Sequence, residues 1–200
     1  MQQRSEETHA HILEAANRLF STNGYDATGV AEICRAAGVS KGAFYHHFPS
    51  KQALFLELMD DWLAGLDAGF QLARQETTSI PQAIIQMADM VGSVFQNSDI
   101  SPAIFLEFWT QAQRDPTIWQ AAIAPYRRYQ EYFARSFEEG IAEGSLQAVD
   151  PHLAARTIVS LAFGLLMQAL FDPQGADWQK ETRQSVELLL KGLSRSPTGL

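Results

Sequence analysis

Apolar residues recur at helical spacing through most of this chain. Ile12, Ala15, Ala16, Leu19 and Phe20 fall at i, i+3, i+4, i+7 and i+8, the stripe of an amphipathic helix that Asn23-Gly24 ends. Ile33, Cys34 and Ala37 give a second, shorter helix a small apolar face, and Phe44 and Phe48 pair at i and i+4 on a third. Ser50 is placed to cap a long fourth helix with the stripe Leu54, Phe55, Leu58, Trp62, Leu63 and Leu66. Beyond it, prolines stand at first-turn positions, where a missing N–H costs nothing. Ser79-Ile80-Pro81 opens a helix to about Gln96, before a break at Asn97-Ser98-Asp99. Ser101-Pro102 opens one to about Gln113, and Asp115-Pro116 one to near Gly144, with a kink or break expected beside Pro125. Asp150-Pro151 opens one that ends before Asp172-Pro173, and a last helix runs from roughly Ala176 to Leu193. The tail Ser194 to Leu200 reads as frayed. The pattern predicts an all-α fold of about nine helices and no sheet.

Residues Val30 to Lys51 carry the chemistry. Gly38 sits where a helix must end with positive φ, Val39 plugs the turn, and Ser40 is a good N-cap for the third helix. That helix turns Phe44 and Phe48 inward and leaves Lys41, Tyr45, His46 and His47 on its polar side. A helix-turn-helix has this form: one helix braces across the DNA backbone and the next enters the major groove.

The net charge of −8 at first argues against a nucleic-acid binder, but its distribution removes the objection. Residues 1 to 51 hold five bases (Arg4, Arg18, Arg35, Lys41, Lys51) and five acids (Glu6, Glu7, Glu14, Asp26, Glu32), so the excess lies wholly in the remainder. A neutral head binds DNA if its cations and N–H groups share one face. The single cysteine forms no internal disulfide and fits a reducing cytoplasm; Cys34 reads as a small buried hydrophobe rather than a redox sensor. No signal peptide is expected at Met1-Gln2-Gln3-Arg4, and the apolar stretch Ile158 to Leu170, broken by Ser160 and Gln168, reads as a buried helix too short for a bilayer. No His-Glu-x-x-His, Walker loop, paired cysteines or Gly-x-Ser-x-Gly supports an enzyme, and Glu138, Glu139 and Glu143 read as a solvated face. No metal or cofactor is expected.

Residues 12 to 58 resemble the N-terminal domain of the TetR family of transcriptional repressors. The resemblance rests on Ile12-Leu13-Ala15-Ala16-Leu19-Phe20, Gly24-Tyr25-Ala27-Thr28, Ile33-Ala36-Gly38-Val39-Ser40-Lys41-Gly42, Phe44-Tyr45-His47-Phe48 and Lys51-Leu54. It implies a DNA-binding domain over 1–50 and a ligand-binding and dimerisation domain over 51–200, with helix 51–70 as connector. It implies contacts to double-stranded DNA from Thr28, Ser40, Lys41, Gly42, Ala43, Tyr45, His46, His47 and Lys51. Lys41 would meet a guanine edge, with a phosphate contact or a free solvated lysine as its alternative, and small Gly42 and Ala43 would let the backbone approach the groove floor, with a merely tolerant surface as theirs. Tyr45 and His47 match positions that contact phosphate, His47 having packing within the domain as its alternative; His46 reads as a DNA contact or a solvent-exposed ring. Lys51 would anchor a phosphate at the start of the fourth helix, and Thr28 would cap the second helix with or without a phosphate contact. Pro49 stands where a basic residue is often found. The resemblance further implies a homodimer through the last two helices, whose apolar face is read as Leu161, Leu165 and Gln168 with Val186, Leu189, Leu190 and Leu193, small Ala162 and Gly164 allowing close approach; the alternative is that this face packs only within its own subunit. It also implies a largely apolar pocket for a small-molecule inducer, assigned to Met87, Met90, Phe105, Trp109 and Tyr126. The expected function is a ligand-responsive repressor on a palindromic operator; the alternative is a DNA-binding protein of the same fold that senses no small ligand and acts through protein partners.

Overall fold

The computed structural model describes residues 2–77, 79–93 and 102–194, and their side chains except at 2–4, 93, 102–105 and 108. Among the described residues are nine helices: α1 (Gln2–Asn23), α2 (Val30–Ala37), α3 (Lys41–His47), α4 (Lys51–Glu76), α5 (Ile80–Ser93), α6 (Pro102–Ala112), α7 (Pro116–Ala142), α8 (Pro151–Phe171) and α9 (Trp178–Leu193). One isolated antiparallel bridge, Leu146 to Ser194, accompanies them. The expected break at 97–99, the run of the fifth helix beyond Ser93 and the tail after Ser194 lie outside the described residues.

The chain forms two compact units, Met1–Ala64 with Ser98–Ala122, and Gly65–Asn97 with Ile123–Leu200. In the first, α1 buries Ile12, Ala15, Ala16 and Phe20. It begins ten residues before the apolar stripe does, because its opening turns are polar and carry no periodic signal. α1 ends at Gly24, whose φ of 83° lets its N–H return to the Phe20 carbonyl at 3.0 Å. Phe20, Tyr25 and Phe55 pack at centroid distances of 4.7 to 5.5 Å, and Phe44, Phe48, Ile33, Cys34 and Leu54 complete the core. α6 and the first turns of α7 belong to this unit through Ala112, Ile118 and Ala122. Asp115 starts α7: its Oδ1 accepts the Thr117 N–H at 2.7 Å, which foremost holds its pKa down, and Gln52 donates to its Oδ2 at 3.0 Å.

The second unit is centred on Phe70, Ile80, Ile84, Met87, Phe133, Phe137, Ile158, Val159, Val186 and Leu190. Glu143 is exposed, as expected of a solvated face, and it also accepts the Ser145 hydroxyl at 2.6 Å and the Ile80 N–H at 3.1 Å, bonds that lower its pKa. Asp150 caps α8 through the His152 and Leu153 N–H groups, and Asp177 caps α9 through Lys180. Three expectations are corrected here. α7 has no break at Pro125, although the proline removes the donor for the Ala121 carbonyl. The apolar stretch at 158–170 belongs to a 21-residue helix, long and apolar enough by length and composition to cross a membrane, and it packs on α9 with Ile158, Val159 and Leu165 buried. Leu165, Val186 and Leu190 are buried within the chain itself, so they are not an open face.

Candidate nucleic-acid interface

The turn between α2 and α3 is fixed at both ends by hydrogen bonds. Gly38 takes φ 68°, its N–H meets the Arg35 carbonyl at 3.3 Å, and the Val39 N–H meets the Cys34 carbonyl at 2.9 Å. This pair of bonds is a Schellman closure, and it requires a left-handed residue at Gly38. Two residues later the Ser40 hydroxyl accepts the Ala43 N–H at 3.1 Å and starts α3. The two faces of α3 are then sharply divided. Phe44 is fully buried and Phe48, closing the helix, nearly so. Lys41, Gly42, Tyr45 and His46 are exposed, with Ala43 and His47 half-buried. Tyr45 is 54% exposed, and its ring stands edge-on to Phe44 at 5.3 Å.

His47 is held from behind. The His9 ring of α1 stacks on Phe48 at 4.8 Å and meets His47 edge-on at 5.6 Å, while His46 lies 5.2 Å beyond. His9 Nε2 is 2.7 Å from Glu57 Oε1 of α4. Desolvation foremost, then His46 and His9, lowers the His47 pKa, and Glu57 opposes them. Neither His9 nor Glu57 is among the residues that motif and spacing single out. A signal is present for one of them: His9 lies three and four residues before Ile12 and Leu13, on the same side of α1.

Two expected contacts stand differently. Thr28 does not cap α2; Gly29 does, without a side-chain bond. The Thr28 side chain is fully buried and its hydroxyl donates to the Gly24 carbonyl at 2.8 Å, so the tight 25–27 turn has drawn it inward. Lys51 is half-buried, donating from Nζ to the carbonyls of Tyr25 at 2.7 Å and Thr28 at 3.0 Å, 4.1 Å above the centre of the Tyr25 ring. Burial lowers its pKa. Thr28 ties the α1–α2 connection back to α1, and Lys51 ties it to the start of α4.

The residues assigned to an inducer pocket divide between the units. Met87 is buried in the second unit's core, where the Tyr132 hydroxyl approaches its sulfur at 3.9 Å, and Met90 is half-buried. Tyr126 packs edge-on to Phe163 at 5.8 Å and accepts from Gln130 at 2.8 Å. Trp109 packs in the first unit, edge-on to Trp119 at 6.1 Å. The Phe105 side chain lies outside the described residues. The second unit also carries Asp67, which accepts from the Tyr129 hydroxyl at 2.9 Å and pairs with Arg128 at 2.7 Å; burial foremost pushes Tyr129 to about 12.

A capped, two-faced α3 braced by α1 and α2 defines a helix-turn-helix DNA-binding protein. The family model of bacterial regulatory proteins, tetR family, matches residues 12–58, and that of the BetI-type transcriptional repressor C-terminal domain matches 86–194. The chain belongs to the TetR family of transcriptional regulators, which are not enzymes. The HTH-type transcriptional regulator AcrR of Shigella flexneri is 28% identical, over 98% of this chain and 94% of its own. In fold, the chain is similar to a transcriptional regulator from Saccharomonospora viridis in complex with choline (21% identity, TM-score 0.84, covering 96% of this chain and 100% of that one). It is likewise similar to FadR from Bacillus subtilis in complex with stearoyl-CoA (20% identity, TM-score 0.82, covering 92% and 98%).

Proposed function

We propose that this regulator is a repressor that binds a palindromic operator as a homodimer and is released by a small-molecule inducer. The division of α3 into a buried aromatic face and an exposed polar one carries the reading, because it leaves Lys41, Gly42, Tyr45 and His46 free to enter a groove. Residues 1–50 act as the DNA-binding domain, helix 51–70 as connector and the rest as ligand-binding and dimerisation domain. Ser40, Lys41, Gly42, Ala43, Tyr45, His46 and His47 meet DNA, and Thr28 and Lys51 support them from inside. Two such heads reach successive major grooves about 34 Å apart. The inducer is largely apolar and is held by the second unit around Met87, Met90 and Tyr126. The ligands named with the two solved structures, choline and stearoyl-CoA, support a small-molecule site in a fold of this kind; of the two, the stearoyl chain is the apolar one.

A duplex titration tests the DNA face. Lys41→Ala is expected to lower the slope of log affinity against log salt by about one unit where it meets phosphate, or to relax one base position by ~1–3 kcal/mol where it meets guanine. Lys51→Met, losing two bonds to carbonyls, is expected to lower the melting temperature and the affinity while leaving that slope unchanged. Full-strength binding by Lys41→Ala and Tyr45→Phe would remove the assignment.

Gly42 gives a sharper test. A Cβ there would meet nothing nearer than Ser40 Oγ at 3.8 Å, so the chain's own packing does not require glycine. Gly42→Ala is therefore expected to stabilise the free head by roughly 0.5–1 kcal/mol and to weaken duplex binding. A rise in melting temperature with unaltered affinity would refute the close approach.

A further inference from the structure

The histidines at the base of α3 form a row rather than three separate surface rings. His46, His47 and His9 follow one another at centroid distances of 5.2 and 5.6 Å, and the row ends on the Glu57 carboxylate. His9 belongs to α1, His46 and His47 to α3, and Glu57 to α4, so the row joins three elements. The outer end carries the exposed His46; the inner end is anchored by the His9–Phe48 stack. We propose that His9 is a positioning residue for DNA binding: stacked on Phe48 and paired with Glu57, it holds the His47 ring at the DNA face, so that duplex affinity depends on pH through this row.

The proposal rests on the reading of α3 as the DNA face. In the free head, the charged groups reaching His47 are His46 on its own helix, His9 on α1 and Glu57 on α4; burial and the two histidines outweigh the carboxylate. Phosphates arriving at the outer side of the row reverse the balance, because an anion a few ångströms away favours the imidazolium. His47 then has a higher pKa bound than free. Affinity rises as pH falls through the bound value and levels off below the free one, which lies under the ordinary 6.5. Removing His9 takes away one influence that lowers the His47 pKa and leaves the opposing Glu57 carboxylate in place.

The test uses the full chain and a labelled duplex of arbitrary sequence about three helical turns long, titrated by fluorescence anisotropy at constant salt. Wild type is expected to bind roughly three- to tenfold more tightly at about pH 6 than at about pH 8. His47→Gln should flatten the dependence. His9→Phe preserves an aromatic ring against Phe48 and should move the rise to higher pH. Glu57→Gln, which removes the one favouring carboxylate, should move it to lower pH. A His9 that served only packing would change affinity by one factor at every pH. Opposite displacements in His9→Phe and Glu57→Gln support the proposal. A flat profile in a wild-type chain that binds the duplex, or His9→Phe and wild-type curves of the same shape and midpoint, overturns it and leaves the DNA face standing. Failure to bind this duplex at any pH also overturns it, and the Lys41 and Tyr45 variants remain the separate test of the DNA face.

Discussion

Phe44→Ala is expected to abolish duplex binding by unfolding the head. The ring is fully buried, tilted against Phe48 at 5.9 Å and edge-on to Tyr45. Removing a buried phenyl ring costs ~3–5 kcal/mol, from lost transfer energy and from the cavity left behind. A domain of this size has only ~5–15 kcal/mol in all. A fall of ten degrees or more in melting temperature is expected, read by circular dichroism, with binding lost in parallel. The adjacent position sets the contrast. Tyr45→Ala removes a ring that is mostly in solvent, so its melting curve should stay close to that of wild type while its affinity falls. A Phe44→Ala protein that melts like wild type would show that the core does not depend on this ring.

Leu188→Glu should turn a dimer into a monomer without unfolding it. The second unit leaves three large apolar side chains of α8 and α9 in solvent: Leu153 at 57%, Phe171 at 80% and Leu188 at 73% exposure. Gly164 and Gly192 lie inside the same two helices, and a Cβ at either would meet nothing within 4 Å. A helix-interior glycine costs ~1 kcal/mol against alanine, and no close contact among the described residues offsets that cost. Close approach of a second copy would. In that dimer Leu188 is covered, and a glutamate there buries an unpaired charge. Sedimentation at about micromolar concentration should show wild-type dimers without DNA and mutant monomers, and losing the second head should weaken palindrome binding by roughly 10²–10⁴. Leu190→Glu, two residues on but buried, should instead destabilise the fold. A monomeric wild type would refute the dimer; a Leu188→Glu dimer would refute this face.

Local rules reach the head's architecture well. Gly38, Ser40 and Ser50 act through bonds that span at most five residues, and Phe44 and Phe48 face inward as their spacing requires. Prolines at 102, 116 and 151 do begin helices. What spacing cannot supply is partnership across the chain. Lys51 is 26 residues from Tyr25, and nothing in the local sequence announces that its ammonium lies over that ring. Thr28 has the right chemistry for a cap but is pulled back toward Gly24 by the preceding turn. α8 poses a different difficulty: apolar nearly all round, it carries no phase that separates its inner face from its outer one. Spacing therefore reads Leu165 as open when it is core, and gives no sign that Phe171 and Leu153 are the exposed ones.

The one cysteine of the chain sits in the core of the head, beside Ile33 and behind the turn into α3. A thiol at that depth reacts with a disulfide reagent only during the moments when its surroundings open. The labelling rate is then the intrinsic rate scaled by the population of the open form, so each 1.4 kcal/mol of local stability slows it about tenfold. With no second thiol to compete, the trace is a clock for opening of the head alone. DNA bound to the closed form should slow that clock further, by the factor that its own concentration and affinity dictate. Cys34 thus allows operator occupancy to be read from chemical kinetics, without a label on the DNA or a substitution in the protein.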